Sequence, residues 1–361
     1  MTRTIIRMPP LSVIATTVSG VPAVSRRIVR TATAVLVMVT LVGGCGTAEA
    51  VRPRPQTPAA PFPQPSGVQS PAEIPAKPVP ACQPRQSLRP LGPLPPPGEM
   101  PAGSTMAAIR RRGRLIVGMG TNAYLLTFRD SRDGQVRGFE ADIAREIAYA
   151  IFGDRDPQRI RFRSLNLPDV TSIVRGVTDS GEQVETVDIA LLTTIMTCKR
   201  WQEVSFSTAY YSSHQRLLVQ RDAPITGIAD LAGKKVCAPR TSPNLQVITS
   251  AEPRLLPVAA PNNNDCLLLL QQGQVDAVSS GDVILAGMAA QDPLTRIVGP
   301  PLTDDDPVGI MMAHQSPDLV RFVNGVLEKL MSDGTWVRLQ REWLAAQIGS
   351  AEPPIPQYRK E

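Results

Sequence analysis

Gly113-Arg-Leu-Ile-Val-Gly-Met119, followed by Gly138-Phe-Glu-Ala-Asp-Ile-Ala-Arg-Glu-Ile-Ala-Tyr-Ala-Ile151, decides the fold class. Leu115–Met119 is a short continuous apolar run, which predicts a buried strand. From Asp142 to Ile151 the apolar residues recur at helical spacing, which predicts a helix. Just upstream, Ser104 or Thr105 can cap a short helix running through Arg112, and Gly113 supplies its stop. Strand-length and helix-length patterns keep alternating toward the C-terminus, the pattern of α/β layers.

Further along, the chain echoes itself. Ile173-Val-Arg-Gly176 leads, after an insertion, to Val187-Asp-Ile-Ala190. Leu267-Leu-Leu-Leu-Gln-Gln-Gly273 leads to Val275-Asp-Ala-Val278. Each is a helix, a break and a V-D-apolar-apolar strand, which predicts two lobes of like build.

In the other direction, residues 46–103 hold nearly half of the chain's 36 Pro, with Ala, Gln and Ser between. Such a stretch lacks core-forming side chains and favours extended polyproline II, a semi-rigid spacer. Before it, Thr31-Ala-Thr-Ala-Val-Leu-Val-Met-Val-Thr-Leu-Val42 follows Arg26, Arg27 and Arg30 and ends at Gly43-Gly44-Cys45. This run is too short to span a bilayer and suits a signal-peptide core, at about twelve residues. Small residues before Cys45 form a lipobox, so residues 1–44 are read as a lipoprotein signal peptide and Cys45 as the lipidated residue. The chain is then exported and anchored to the outer face of the cytoplasmic membrane.

Five of the 38 basic residues lie in residues 1–44, which hold no acid. Beyond them, bases outnumber the 32 acids by one. A nearly neutral mature chain has no electrostatic footprint for nucleic acid. An oxidising compartment suits disulfides, and Cys82, Cys198, Cys237 and Cys266 can pair in three ways. A bond from Cys82 to the folded part would pin the end of the spacer. No C-x-x-C occurs, and the only His are His214 and His314. No metal, cofactor or catalytic residue is expected.

Three stretches together resemble the family 3 solute-binding proteins, the amino-acid receptors of ABC importers. The first is Gly113–Gly118 with Gly138–Ala144. The second is Thr197-Cys-Lys-Arg200 with Val204-Ser-Phe-Ser-Thr-Ala-Tyr210. The third joins Val308-Gly-Ile310, Leu319–Asn324, Asp333-Gly-Thr-Trp336 and Trp343-Leu344. Asp230–Val236 and the Val275-Asp276 strand lie between them. The resemblance implies a two-lobed periplasmic-binding-protein fold of type II, with two crossover strands and hinge closure around a ligand. Lobe 1 is then residues 104–212 and 309–347, lobe 2 is 213–308, residues 45–103 are the lipid-anchored linker, and 348–361 form a tail. The crossovers should lie within 211–217 and 307–311.

The same resemblance implies the site. A free amino acid needs a guanidinium for its carboxylate and a carboxylate for its ammonium. Arg200 stands at the family's carboxylate-binding position, with Thr197 in the same motif. Ser242-Pro243 reads as an N-cap with Pro at N1, a helix start that holds ligand in the family. Tyr124 and Phe128 lie where the family places an aromatic lid. The sequence also departs from the pattern. The lobe-2 acid falls on Gly281, with Asp282 one step later. A second acid falls on Gly120. The hydroxyl residue before the Arg is Ile195, with Thr193 and Thr194 beside it. The lobe-2 Gly-Thr turn is Thr241-Ser242. Either a local shift lets Asp282 serve an amino acid, or the cleft prefers a dicarboxylate. Within lobe 2, Cys237 and Cys266 are expected to pair, leaving Cys82 for Cys198.

These expectations add up to a monomeric substrate-binding lipoprotein of an ABC importer. Its ligand would be a polar amino acid of the glutamate, glutamine or aspartate kind. The alternative is a sensory receptor for an amino acid or dicarboxylate, signalling through a membrane partner instead of feeding a permease.

Overall fold

A computed structural model describes residues 62–70, 81–120 and 122–360. The signal peptide and the lipidation residue Cys45 lie outside the described residues.

Local signals build the elements directly. The Ser104 hydroxyl accepts from the Ala107 N–H at 3.1 Å and caps α1 (Thr105–Arg112), which Gly113 ends at φ 87°. β1 (Leu115–Met119) follows. A hairpin of β2 (Asn122–Ala123), β3 (Thr127–Arg129) and β4 (Val136–Arg137) leads into α2 (Phe139–Phe152). Gly138 makes that entry at φ 122°, and a Cβ there would lie 2.3 Å from the Leu126 carbonyl oxygen. β5 (Ile160–Ser164), α3 (Val170–Arg175), β6 (Ile189–Leu191), α4 (Cys198–Trp201) and β7 (Ser205–Phe206) complete the first pass through lobe 1.

β8 (Tyr211–Ser213) then carries the chain into lobe 2. Lobe 2 contains β9 (Gln215–Gln220), β10 (Lys235–Pro239), α5 (Pro243–Thr249), β11 (Leu256–Ala260), α6 (Asn263–Gln271), β12 (Ala277–Gly281), α7 (Asp282–Gln291) and β13 (Thr295–Val298). β14 (Asp306–Val308) returns antiparallel beside β8, with Tyr211 opposite Val308. β15 (Met311–Met312), α8 (Pro317–Ser332), α9 (Thr335–Trp343) and α10 (Ala345–Ile348) close lobe 1.

The two sheets share one topology. Lobe 1 has the order β5-β1-β6-β15-β7 and lobe 2 the order β11-β10-β12-β9-β13. In each, three parallel strands are followed by the strand that leaves a crossover, inserted antiparallel. The sequence echo falls on β6 and β12, the third strand of each set. Its aspartates do the same work twice. Asp188 Oδ2 accepts the Ile116 N–H at 2.7 Å, and Asp276 Oδ2 accepts the Lys235 N–H at 2.9 Å. Each carboxylate thus satisfies a backbone donor at the edge of its ladder, a structural duty.

In lobe 2, Leu217, Val219, Val236 and Ala238 face one side of the sheet, while Leu218, Cys237 and Val278 face the other. This period-two alternation buries both faces. The Cys237–Cys266 disulfide ties α6 to the second face. In lobe 1, Phe139 meets the edge of Trp336 at 5.8 Å, and Trp336 Nε1 donates to the Tyr210 carbonyl at 2.7 Å. Burying each such aromatic contributes on the order of 2–3 kcal/mol.

The spacer departs from expectation. Residues 81–103 are packed on lobe 1, not held free of it. Cys82 is bonded to Cys198 on α4, the pairing expected from sequence. The Ser87 hydroxyl donates to the Phe206 carbonyl at 2.7 Å and accepts from Asn324 Nδ2 at 2.9 Å. Leu88, Leu94 and Met100 pack against the lobe 1 core. Those apolar side chains and the disulfide hold residues 81–103 on lobe 1 in spite of their Pro content. Gln69 exchanges backbone hydrogen bonds with Ala259 at the edge of β11 in lobe 2. The expected tail is docked too: Tyr358 pairs with Ser87, and its hydroxyl donates to Glu328 at 2.7 Å. Among the described residues, no helix is long and apolar enough to cross a membrane.

Candidate ligand-binding cleft

Between the lobes lie two adjoining chambers that share Leu167, Leu192, Thr193, Asn263 and Ile284. The first is lined by Thr194, Ile195 and Arg200 from lobe 1 and by Ser242, Asn244 and Gly281 from lobe 2, with Ser213 and Val308 from the crossovers. The second is lined by Gly120, Tyr124, Glu140, Asn166, Met288 and Gln291, among others.

Arg200 is set by a capped turn. Thr197 Oγ1 accepts the Arg200 N–H at 3.3 Å and starts α4. The guanidinium donates from Nη1 to the Ile195 carbonyl at 2.7 Å and from Nη2 to the Thr241 carbonyl of lobe 2 at 3.0 Å. Among the described residues no carboxylate lies within ion-pair distance of it. Lost hydration lowers its pKa to about 10, opposed only by the field of Glu203. Beside it, Thr194 is 2 % exposed and its hydroxyl has no hydrogen-bond partner. A partly desolvated cation and an orphaned hydroxyl on residues that line one chamber are the chemistry an oxyanion can satisfy.

Across the cleft, Ser242 caps α5 by accepting the Asn244 N–H at 3.1 Å, with Pro243 at the first helical position. The free volumes are about 30 Å³ in the first chamber and about 70 Å³ in the second. Both are narrow, and β8 and β14, paired side by side, are the two strands that join the lobes next to them. Lobe 1 also touches α7. At Gly287 a Cβ would lie 2.3 Å from the Tyr124 carbonyl oxygen, so glycine permits that close approach.

Of the residues expected from sequence, Arg200, Thr194 and Ser242 share the first chamber and Tyr124 lines the second. Three are placed otherwise. The Thr197 hydroxyl is engaged as a helix cap. Phe128 packs on Tyr124 at 4.8 Å and on Trp343 at 6.0 Å, behind the lining. Asp282 begins α7 and turns to the hinge. Its Oδ1 accepts from the Ser213 hydroxyl and the Val283 N–H, both at 2.8 Å, and its Oδ2 meets His214 Nδ1 at 3.3 Å. Gly120, Gly281 and Ile195 do line the cleft, so the departures from the family pattern fall at the site itself.

Sequence reading missed Glu140, Asn263 and Ser213. Glu140 is the one carboxylate lining either chamber among the described residues. Burial raises its pKa, against hydrogen bonds from Tyr210, Thr193 and Thr127. Asn263 follows the helix cap Asn262 and accepts from Ser280 Oγ at 2.8 Å. The Asn262-Asn263-Asn264 run could have marked that helix start.

The family model for bacterial extracellular solute-binding proteins, family 3, matches residues 115–346. This chain belongs to that family. Among curated relatives of this family-3 protein, the glutamine-binding protein GlnH of a Bacillus subtilis ABC transporter is 30% identical over 242 residues, 66% of this chain and 84% of the relative. A glutamine-binding protein of Geobacillus stearothermophilus is 32% identical over 221 residues, 60% of this chain and 80% of the relative. Among solved structures, a cysteine-binding protein from Campylobacter jejuni superposes with TM-score 0.60 at 20% identity, covering 68% of this chain and 95% of its own. That likeness bears on the fold alone. The family-3 protein is thus a bacterial extracellular solute-binding protein.

Proposed function

We propose that the cleft binds the α-carboxylate of a polar amino acid, glutamine or glutamate in kind, and delivers the ligand unchanged to a membrane permease. The carrying observation is the Arg200 guanidinium. It has no carboxylate partner among the described residues and lies beside the unpartnered hydroxyl of Thr194 in a chamber between hinged lobes. Pairing with an anion returns to both groups the interactions they lost on leaving water. The amide side chains Asn166, Asn263 and Gln291 in the adjoining chamber suit a ligand side chain that both donates and accepts. The glutamine-binding names of two relatives agree with that choice.

One observation favours a second reading. Neither acidic position of the family pattern carries a carboxylate, and Asp282 is engaged at the hinge. A dicarboxylate would not need an ammonium partner. Calorimetric titration with L-glutamine, L-glutamate, L-aspartate and succinate separates the two. The proposal expects at least one amino acid to bind more tightly than succinate; the reverse order overturns it.

The Cys45 lipobox supports attachment to the outer face of the cytoplasmic membrane. Cys45→Ala is expected to release the protein from the membrane fraction and to prevent its labelling by a palmitate analogue. Retention and labelling of that variant would refute the anchor.

A further inference from the structure

Glu140 opens α2 and is 1 % exposed. Four donors converge on its carboxylate. The Thr193 N–H and hydroxyl donate to Oε1 at 2.6 and 2.9 Å, the Tyr210 hydroxyl donates to the same oxygen, and the Thr127 hydroxyl donates to Oε2 at 3.0 Å. Thr193 is held at φ 48°, a left-handed conformation that a β-branched residue rarely adopts. Both hydrogen bonds that hold it there end on Glu140.

Thr193 opens the ligand-facing loop. Thr194 lines the first chamber and carries the orphaned hydroxyl, and its carbonyl accepts the Gly309 N–H at 3.2 Å. The Ile195 carbonyl aims the Arg200 guanidinium. The Met196 N–H donates to the Pro307 carbonyl of the returning crossover at 2.7 Å. The far end of this loop is thus tied to β14, and its near end to Glu140. Tyr210, the third residue on that carboxylate, immediately precedes β8.

We propose that Glu140 is a positioning residue for ligand binding: it fixes Thr193 in the left-handed conformation, and so directs the Thr194 hydroxyl and the Ile195 carbonyl that aims Arg200. Its oxygens are occupied by the protein's own donors, so it acts through the loop and not on the ligand. A glutamine at this position can still accept from Thr193 and Tyr210 through its oxygen and can donate to the Thr127 hydroxyl through its nitrogen. An alanine offers none of these bonds. The inference rests on the functional reading above, and its test is built to fail separately from it.

The full chain and its Glu140→Gln, Glu140→Ala, Thr193→Gly and Thr193→Val variants are titrated with L-glutamine by calorimetry, at a temperature where circular dichroism shows each to be folded. Hydrogen exchange of the Met196 amide is followed in the ligand-free proteins. Glu140→Gln should stay within about threefold of the parent affinity, and Glu140→Ala should lose about 30-fold or more. Thr193→Val should lose more than Thr193→Gly. Both lack the hydroxyl, but glycine accepts a positive φ and valine does not. Met196 exchange should quicken in Glu140→Ala and Thr193→Val and stay unchanged in Glu140→Gln.

A folded Glu140→Ala that binds like the parent overturns the inference. So does a Glu140→Gln as weak as Glu140→Ala, because charge and not placement would then matter. If Glu140→Ala does not fold, the Thr193 pair decides, and equal losses there overturn the inference. If the parent itself does not bind glutamine, the functional reading is at fault, and the exchange rates still test the positioning: unchanged Met196 exchange in every variant refutes it.

Discussion

Arg200 Nη2 donates to the Thr241 carbonyl oxygen at 3.0 Å, a hydrogen bond that joins lobe 1 to lobe 2 across the cleft. It keeps the guanidinium in the gap, but a carbonyl dipole does not neutralise a charge. The pKa of about 10 in the folded chain lies below the ordinary guanidinium value. For a base, that order means the cost is fully present at every pH below about 10. Arg200→Met should therefore leave the ligand-free protein at least as stable as the parent by thermal denaturation. The same variant should lose about 30- to 5,000-fold in ligand affinity, the range for removing one member of a desolvated charge pair. A lower ligand-free Tm together with unchanged affinity would assign Arg200 a purely structural duty.

Asp282 provides the contrasting case. Sequence offered it as the ammonium partner, one step from the family position, and the structure turns it to Ser213 and His214. Asp282→Asn keeps the acceptor for the Ser213 hydroxyl and the Val283 N–H. Calorimetry should show its ligand affinity within about fivefold of the parent, the effect of a group outside the lining. A hundredfold loss would return Asp282 to the binding set.

Much of the fold is legible in the amino-acid sequence because the deciding signals are local. A buried five-residue run, a Ser cap, a left-handed Gly stop and a repeated V-D strand each act within a few residues. The Ser242 cap is legible for the same reason, while Arg200 is reached only through the resemblance to family 3. The rest depends on geometry that residue identity does not reveal. Thr193 stands at φ 48°, and both Thr194 and Ile195 after it line the first chamber. One step past the end of β12, Asp282 opens a helix and points elsewhere than Gly281, as a shift of one residue at a strand end does. Glu140 reads in sequence as an ordinary acid at a helix start, and only tertiary folding brings Thr127, Thr193 and Tyr210 onto it.

That burial has a pH signature. The folded-state pKa of Glu140 is raised, so the folded chain holds its proton to higher pH than the unfolded chain does. The group therefore favours folding most at pH below the unfolded carboxyl value, and that contribution is lost as pH rises through the folded value. Glu140→Gln does not titrate. The Tm of this variant minus that of the parent should rise with pH across the interval from the unfolded to the folded value and then level off. A difference independent of pH from about 4 to 8 would contradict the raised value.

The Cys82–Cys198 disulfide spans 116 residues and ends in the turn that carries Arg200. The chain-entropy treatment assigns a loop of that length about 5 kcal/mol, and the 29-residue Cys237–Cys266 loop about 3–4 kcal/mol. Cys82→Ser/Cys198→Ser should lower both Tm and ligand affinity, because it frees the strap and α4 together. Cys237→Ser/Cys266→Ser should lower Tm and change affinity less. Denaturation scans and calorimetry on the two double variants check this. Equal affinity losses would show that α4 is held without its strap.

Most direct of all is a calorimetric comparison of L-glutamine with L-glutaminamide, in which the α-carboxylate is replaced by a neutral amide and the rest of the molecule is kept. If Arg200 and Thr194 grip a carboxylate, the amide binds at least about a hundredfold more weakly than glutamine to the parent protein, and the difference collapses in Arg200→Met. Equal affinity of the two compounds for the parent protein would contradict the account at its centre.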